Sequence, residues 1–177
     1  MDEPQSEVVA VNTRYWGESG GRYSADRLYR WSYEQTIGEG QTTICWIGLN
    51  PGTGDREGRY RPTLQRMVDR SIAMGMGGIV LVNLFAWRAT KPTELRRQAT
   101  AGVDVIGDEC DAAIRQAAER SELVVAAWGN HGGLLGRDRQ VVSMVRSLKC
   151  VGTTMKGAPR HPLYVRSDQP LEPYEGG

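Results

Sequence analysis

Phenylalanine is nearly absent from this chain. One Phe stands against five Trp and seven Tyr in 177 residues. The missing bulk is carried by rings with a polar handle, which serve core, rim and recognition sites alike. Cysteine is also scarce: Cys45, Cys110 and Cys150 are far apart, odd in number and form no C-x-x-C pair. That excludes a disulfide framework and argues against a zinc or iron–sulfur site, so no metal or cofactor is expected. A reduced, cytoplasmic chain fits this usage. No run approaches the ~18 apolar residues that span a membrane, and the acidic start MDEPQSEVVAVN has no leader-like apolar core. Excess charge of one sign is missing too. The formal net charge is +1, so any polyanion must be held by a local patch.

What is present is an alternation of apolar runs and amphipathic stretches. Its length fits a single domain over 1–177, with 1–20 and 167–177 as loosely ordered ends. Residues 22–35 alternate aromatic and polar types and read as an outer strand or hairpin, with Tyr23, Leu28 and Tyr33 inward. TTICWIGLN (42–50), GIVLVNLFAW (78–87), LVVAAWG (123–129) and CVGTT (150–154) read as buried strands. Helices are expected from residue 62 or 63, over 103–120 and over 137–149, where Leu148 would face inward. RATKPTELRR reads as a loop with a weak helix start, and NHGG as a turn. The expectation is an α/β three-layer sandwich with a central, mostly parallel sheet. Ligands of such sheets bind at the carboxyl ends of strands, which directs attention to four loops.

The first is Gly48-Leu49-Asn50-Pro51-Gly52. Proline fixes one dihedral and glycine admits close approach, so Asn50 is held at the mouth of a rigid turn. It either positions a water, phosphate or base, or caps its own turn. The second loop follows Asn83, an amide inside an apolar strand, and carries Arg88 and Lys91. A buried amide is tied to backbone or offers its paired donor and acceptor to a base edge. The third, AWGNHGG, contains His131, read as an exposed turn residue. The fourth, KGAPRHPLYV, holds His161 between Pro159 and Pro162, with Lys156 and Arg160 alongside, and is the better histidine for catalysis. No serine elbow, Walker motif or post-strand G-x-G-x-x-G occurs, which weakens hydrolase, NTPase and dehydrogenase readings of those types.

The segments RYSAD, GLNPGTGD, VNLFAWRATKP, VVAAWG and CVGTTMKGAPRHPLYV closely resemble the bacterial and phage domain-of-unknown-function family 1643, from about Tyr23 to Val165. More distantly, the same motifs resemble the uracil-DNA glycosylase superfamily. That resemblance implies a glycosylase-like fold and hydrolysis of the N-glycosidic bond of a pyrimidine or modified pyrimidine in DNA. Asn50 and His161 would be catalytic, orienting water and stabilising the departing base. Asn83 would read the base. Gly52 would leave room at the 5-position, and Trp87 or Tyr60 would stack on the ring. Arg56, Arg59, Arg61, Arg88, Lys91 and Arg160 would hold phosphate, with Arg66, Arg70 and Lys156 nearby. Leu163 stands where the superfamily has serine, and the serine-proline segment that pinches duplex backbone is missing. Leu163 or Tyr164 would be short wedges. Two alternatives remain open: a hydrolase or transferase acting on a free nucleotide or nucleoside, and a non-catalytic nucleic-acid binder.

Overall fold

A computed structural model of the chain describes residues 19–53 and 61–177. Its elements run in the order β1 (Ser19–Tyr23), β2 (Arg30–Thr36), β3 (Thr43–Gly48), α1 (Pro62–Ala73), β4 (Gly78–Asn83), α2 (Pro92–Thr100), α3 (Cys110–Glu119), β5 (Leu123–Ala126), α4 (Arg137–Met144), β6 (Leu148–Cys150) and β7 (Glu172–Pro173). A 3-10 stretch covers Gly129–Gly136, and a short one covers Pro162–Tyr164. Among the described residues no helix is long and apolar enough to cross a membrane.

The seven strands form one sheet in the order β1-β2-β4-β3-β5-β6-β7. β4, β3, β5 and β6 are parallel, whereas β1–β2, β2–β4 and β6–β7 are antiparallel. The sheet is therefore mixed, and the expectation of a mostly parallel one is corrected. The reason is connectivity. Parallel neighbours need a long crossover, usually a helix, and only the segments between β3 and β6 contain one. The β1–β2 pair closes through residues 24–29, and the tail returns along β6 after residues 151–171, which contain no α-helix.

Continuous apolar strands arise because both sheet faces are covered. Ile44 and Trp46 pack with Leu64, Met67 and Val68 of α1. Cys45 and Ile47 point the other way, toward Ala113 and Ile114 of α3 and Val141 of α4. Register within the central strands follows from this alternation, with Gly48 opposite Asn83 at the carboxyl end of the β3–β4 pair.

Several boundaries differ from those read in the sequence. The helix expected over 103–120 begins only at Cys110. Ahead of it, the Asp104 carboxylate accepts from the Ile106 and Gly107 amides. Gly107 has φ +85° against the Tyr29 and Trp31 rings, a conformation and a closeness that exclude helix there. α4 stops at Met144, and Leu148 enters β6 instead. RATKPTELRR contributes the whole of α2. Leu28 is exposed rather than inward. In the tail, Arg70 donates to the Arg166 and Ser167 carbonyls and contacts that of Gln169, and Tyr174 packs edge-on to Trp128.

The order β4-β3-β5 sets the site. From β3 the chain crosses to β4 through α1 on one face. From β4 it returns past β3 to β5 through α2 and α3 on the other. Connections leaving in opposite directions open a crevice at the strand ends.

Candidate functional site

A cleft of about 790 Å³ occupies that crevice on the α1 side. Asn50, Asn83 and His161 all line it, brought from the loops or ends of β3, β4 and the segment after β6. Gly52, Arg61 and Arg160 line it as well.

Asn50 is tied to backbone through one side of its amide. Its amide Nδ2 donates to the Ala89 carbonyl at 2.8 Å and to that of Pro51 at 3.1 Å. Together with the Leu84, Phe85 and Ala89 amides, which donate to the Gly48, Leu49 and Pro51 carbonyls, it laces the loops after β3 and β4 into one unit. With Nδ2 tied, the amide is oriented, and Oδ1 is left as an acceptor with no hydrogen-bond donor among the described residues.

Asn83 closes β4 and is 4% exposed. Its Nδ2 is buried and has no hydrogen-bond partner. A buried unsatisfied donor is rare and costs about 1–3 kcal/mol, so one lining a cleft points to a ligand acceptor. The glycine opposite makes this position possible. A Cβ on Gly48 would sit 2.7 Å from Asn83 Oδ1. The strand end itself is held from behind, where Cys110 Sγ donates to the Asn83 carbonyl at 3.4 Å and Arg137 Nε to the Leu84 carbonyl at 2.7 Å.

His161 sits in a loop pinned by the Gly129 amide on the Pro159 carbonyl and the Thr154 amide on the Ala158 carbonyl. Arg160 Nε donates to the Thr153 carbonyl at 2.9 Å. His161 Nδ1 accepts from the Leu163 amide at 3.3 Å, which places the proton of the neutral ring on Nε2. Burial lowers the pKa of His161 below the ordinary histidine value. The consequence for stability has a definite sign. The unfolded chain binds this proton more readily, so the contribution of His161 is complete above pH 6.5 and is lost as pH falls toward the depressed folded value. Protonation also puts a hydrogen on Nδ1, opposed to the Leu163 N–H. A ¹⁵N NMR titration is expected to show the Nε2–H tautomer at pH 7.5 and a midpoint below that of a model histidine; a midpoint above it would contradict the burial.

Other expected residues lie elsewhere. Trp87 packs edge-on to Tyr29, ring centroids 5.3 Å apart, and does not line the cleft. Arg88 is buried, donates to the Arg27 carbonyl at 2.9 Å and lies 5.1 Å from the Tyr23 ring centre. Beyond Asn83 the chain turns toward β2, which carries both side chains away. Lys91 caps α2, Arg70 holds the tail, and neither they nor Arg66 and Lys156 reach the cleft. Arg56, Arg59 and Tyr60 lie outside the described residues.

The cleft also contains residues that sequence reading passed over. Arg30, 3% exposed, enters from β2. Its neighbours are aromatic, and nothing in that alternation marks one arginine as inward. Trp128 and Met155 line the cleft too. Met155 and Tyr164 are the two most exposed large apolar side chains among the described residues, and both stand at this opening. The described charged residues lining the cleft are Arg30, Arg61 and Arg160, with no Asp or Glu. An acid-free wall with three guanidinium groups favours an anionic ligand.

The family model described as "Protein of unknown function (DUF1643)" matches residues 30–163. The chain belongs to this family. The matched region begins at Arg30 and ends at Leu163, so it contains Asn50, Asn83 and His161 and the lining arginines Arg30, Arg61 and Arg160. No curated protein and no solved structure matches the chain.

Proposed function

We propose that this chain takes the pyrimidine base of a nucleotide unit, free or in DNA, into the cleft and hydrolyses its N-glycosidic bond. The observation that carries the reading is the convergence of Asn50, Asn83 and His161 on one cleft whose described lining has no carboxylate. It is the residue set that resemblance to the uracil-DNA glycosylase superfamily singles out.

The chemistry follows from what each group offers. Asn83 Nδ2, buried and without a partner, donates to a carbonyl on the base edge. The C1′–N bond breaks with its electron pair going to the base, and the sugar becomes oxocarbenium-like. Neutral His161 donates from Nε2 to a base oxygen and stabilises the departing anion. Asn50 Oδ1 accepts a hydrogen bond from a water, which adds to C1′ and whose proton ends on the released base. With no carboxylate among the described lining residues to activate it, water attack relies on departure of the base running ahead. Gly52 has no described residue within 4 Å of where a Cβ would be, so a 5-substituent is tolerated there.

Gly48→Ala tests base recognition without touching a reacting group. A methyl there displaces the Asn83 amide. Calorimetric binding of pyrimidine nucleotides is expected to weaken at least tenfold, while circular dichroism stays native. Unchanged affinity, or equal binding of purine and pyrimidine nucleotides by the wild type, would contradict the reading.

A further inference from the structure

The start of α1 is built differently from an ordinary helix end. Arg61 caps it without a side-chain hydrogen bond, Pro62 is the first helical residue, and the first turn has no acidic residue. The first helical bond closed there is from the Gln65 amide to the Arg61 carbonyl. The Thr63 and Leu64 amides are thus left open, and both residues line the cleft. Arg61 itself lies with its guanidinium 4.7 Å from the centre of the buried Tyr33 ring. Its Nε and Nη2 are buried and have no hydrogen-bond partner. Arg61 and the two residues with open helix amides thus line the same cleft. A second feature independently marks the cleft as a ligand site: Asn83, 4% exposed, whose Nδ2 has no partner.

We infer that Arg61 and the first turn of α1 bind a terminal phosphate, and that the substrate class is a nucleoside monophosphate rather than a nucleic-acid strand. This rests on the nucleotide reading of the same cleft. A helix N-terminus carries partial positive charge and aims its amides outward at an anion. Guanidinium presents its donors as a planar fork that suits phosphate oxygens. A guanidinium and two helix amides together suit a phosphomonoester, with three terminal oxygens and up to two charges. A phosphodiester offers two such oxygens and one charge.

The test uses the full chain, inorganic phosphate as a base-independent probe, and two variants of opposite structural risk. Arg61→Met removes the fork but also its contact with Tyr33. Thr63→Asp adds a carboxylate to the first turn, which suits the helix and repels an anion. Isothermal titration should show phosphate binding to the wild type and at least a tenfold loss in both variants. Uridine, thymidine and cytidine monophosphates should bind at least tenfold tighter than their nucleosides, and tighter than a pyrimidine dinucleotide whose only phosphate is a diester. Absence of phosphate binding by the wild type, unchanged binding in a folded Thr63→Asp, or equal affinity for diester and monoester would overturn the inference. The two readings fail separately. Base release from oligonucleotides without a monophosphate preference removes this inference and leaves the glycosidic one. Phosphate binding that depends on Arg61 and Thr63, with no base released from any substrate, does the reverse.

Discussion

His161→Ala is expected to slow base release by two to three orders of magnitude. The ring supplies the donor that meets charge developing on the leaving base, and loss of one such preorganised donor costs about 3 kcal/mol. Its neutral Nε2–H form is set by the Leu163 amide on Nδ1 and by burial. Asn50→Ala is expected to reduce release as severely by removing Oδ1. It also deletes two bonds from Nδ2, to Ala89 and Pro51, at about 1 kcal/mol each. Asn50 is thus partly a structural cap, and its variant needs a stability measurement beside the rate. Chromatography of released base under single-turnover conditions, with chemical denaturation in parallel, separates the two effects. A variant folded like the wild type but with unchanged turnover would remove that residue from the mechanism.

The largest stability effect is expected at Arg137. It begins α4, is 1% exposed, and reaches three structural units. Nε donates to the Leu84 carbonyl at 2.7 Å, Nη1 to Gln140 Oε1 at 3.2 Å, and Nη2 pairs with Asp111 of α3 and contacts Cys110 Sγ. Arg137→Met keeps much of the volume but leaves Leu84 O and the Asp111 carboxylate without their donor. Removing one partner of a buried pair costs about 3–5 kcal/mol, and the partial exposure of Asp111 argues for the lower figure. At roughly 3 kcal/mol the melting temperature of a domain this size falls by about 10 °C. Because Leu84 follows Asn83, base affinity should fall with it. A shift under 2 °C would show that the Leu84 carbonyl and Asp111 are satisfied without Arg137.

Much of the central fold was legible because its strands are buried on both faces. TTICWIG, GIVLVN and LVVA are continuous apolar runs, and burial leaves them little choice of structure. Strand direction was not legible, since the pattern of one strand does not name its neighbour. The antiparallel β2–β4 and β6–β7 pairs join segments far apart in the chain, and β7 comes from a tail with weak apolar signal. Val103 and Ile106 continue the apolar spacing of α3 toward residue 103, but the Asp104 turn and Gly107 keep the helix from starting before Cys110. Within the site, Asn50, Asn83 and His161 stood out as polar residues at the ends of apolar strands or between prolines. Trp87 and Arg88 had the same loop logic but turned to the β2 side. Arg30 left no trace in the sequence because a buried arginine between aromatic residues looks like any strand residue.

Base release from a defined panel decides whether the cleft frees a pyrimidine base by water attack. The panel comprises the pyrimidine nucleoside monophosphates and single-stranded oligonucleotides carrying uracil, thymine and 5-substituted pyrimidines, incubated in ¹⁸O-water with wild type and with Asn50→Ala. The wild type should yield free base and ¹⁸O at C1′ of the sugar from at least one member, and Asn50→Ala at least a hundredfold less. No base from any member, or equal release by both proteins, would contradict the proposed reaction.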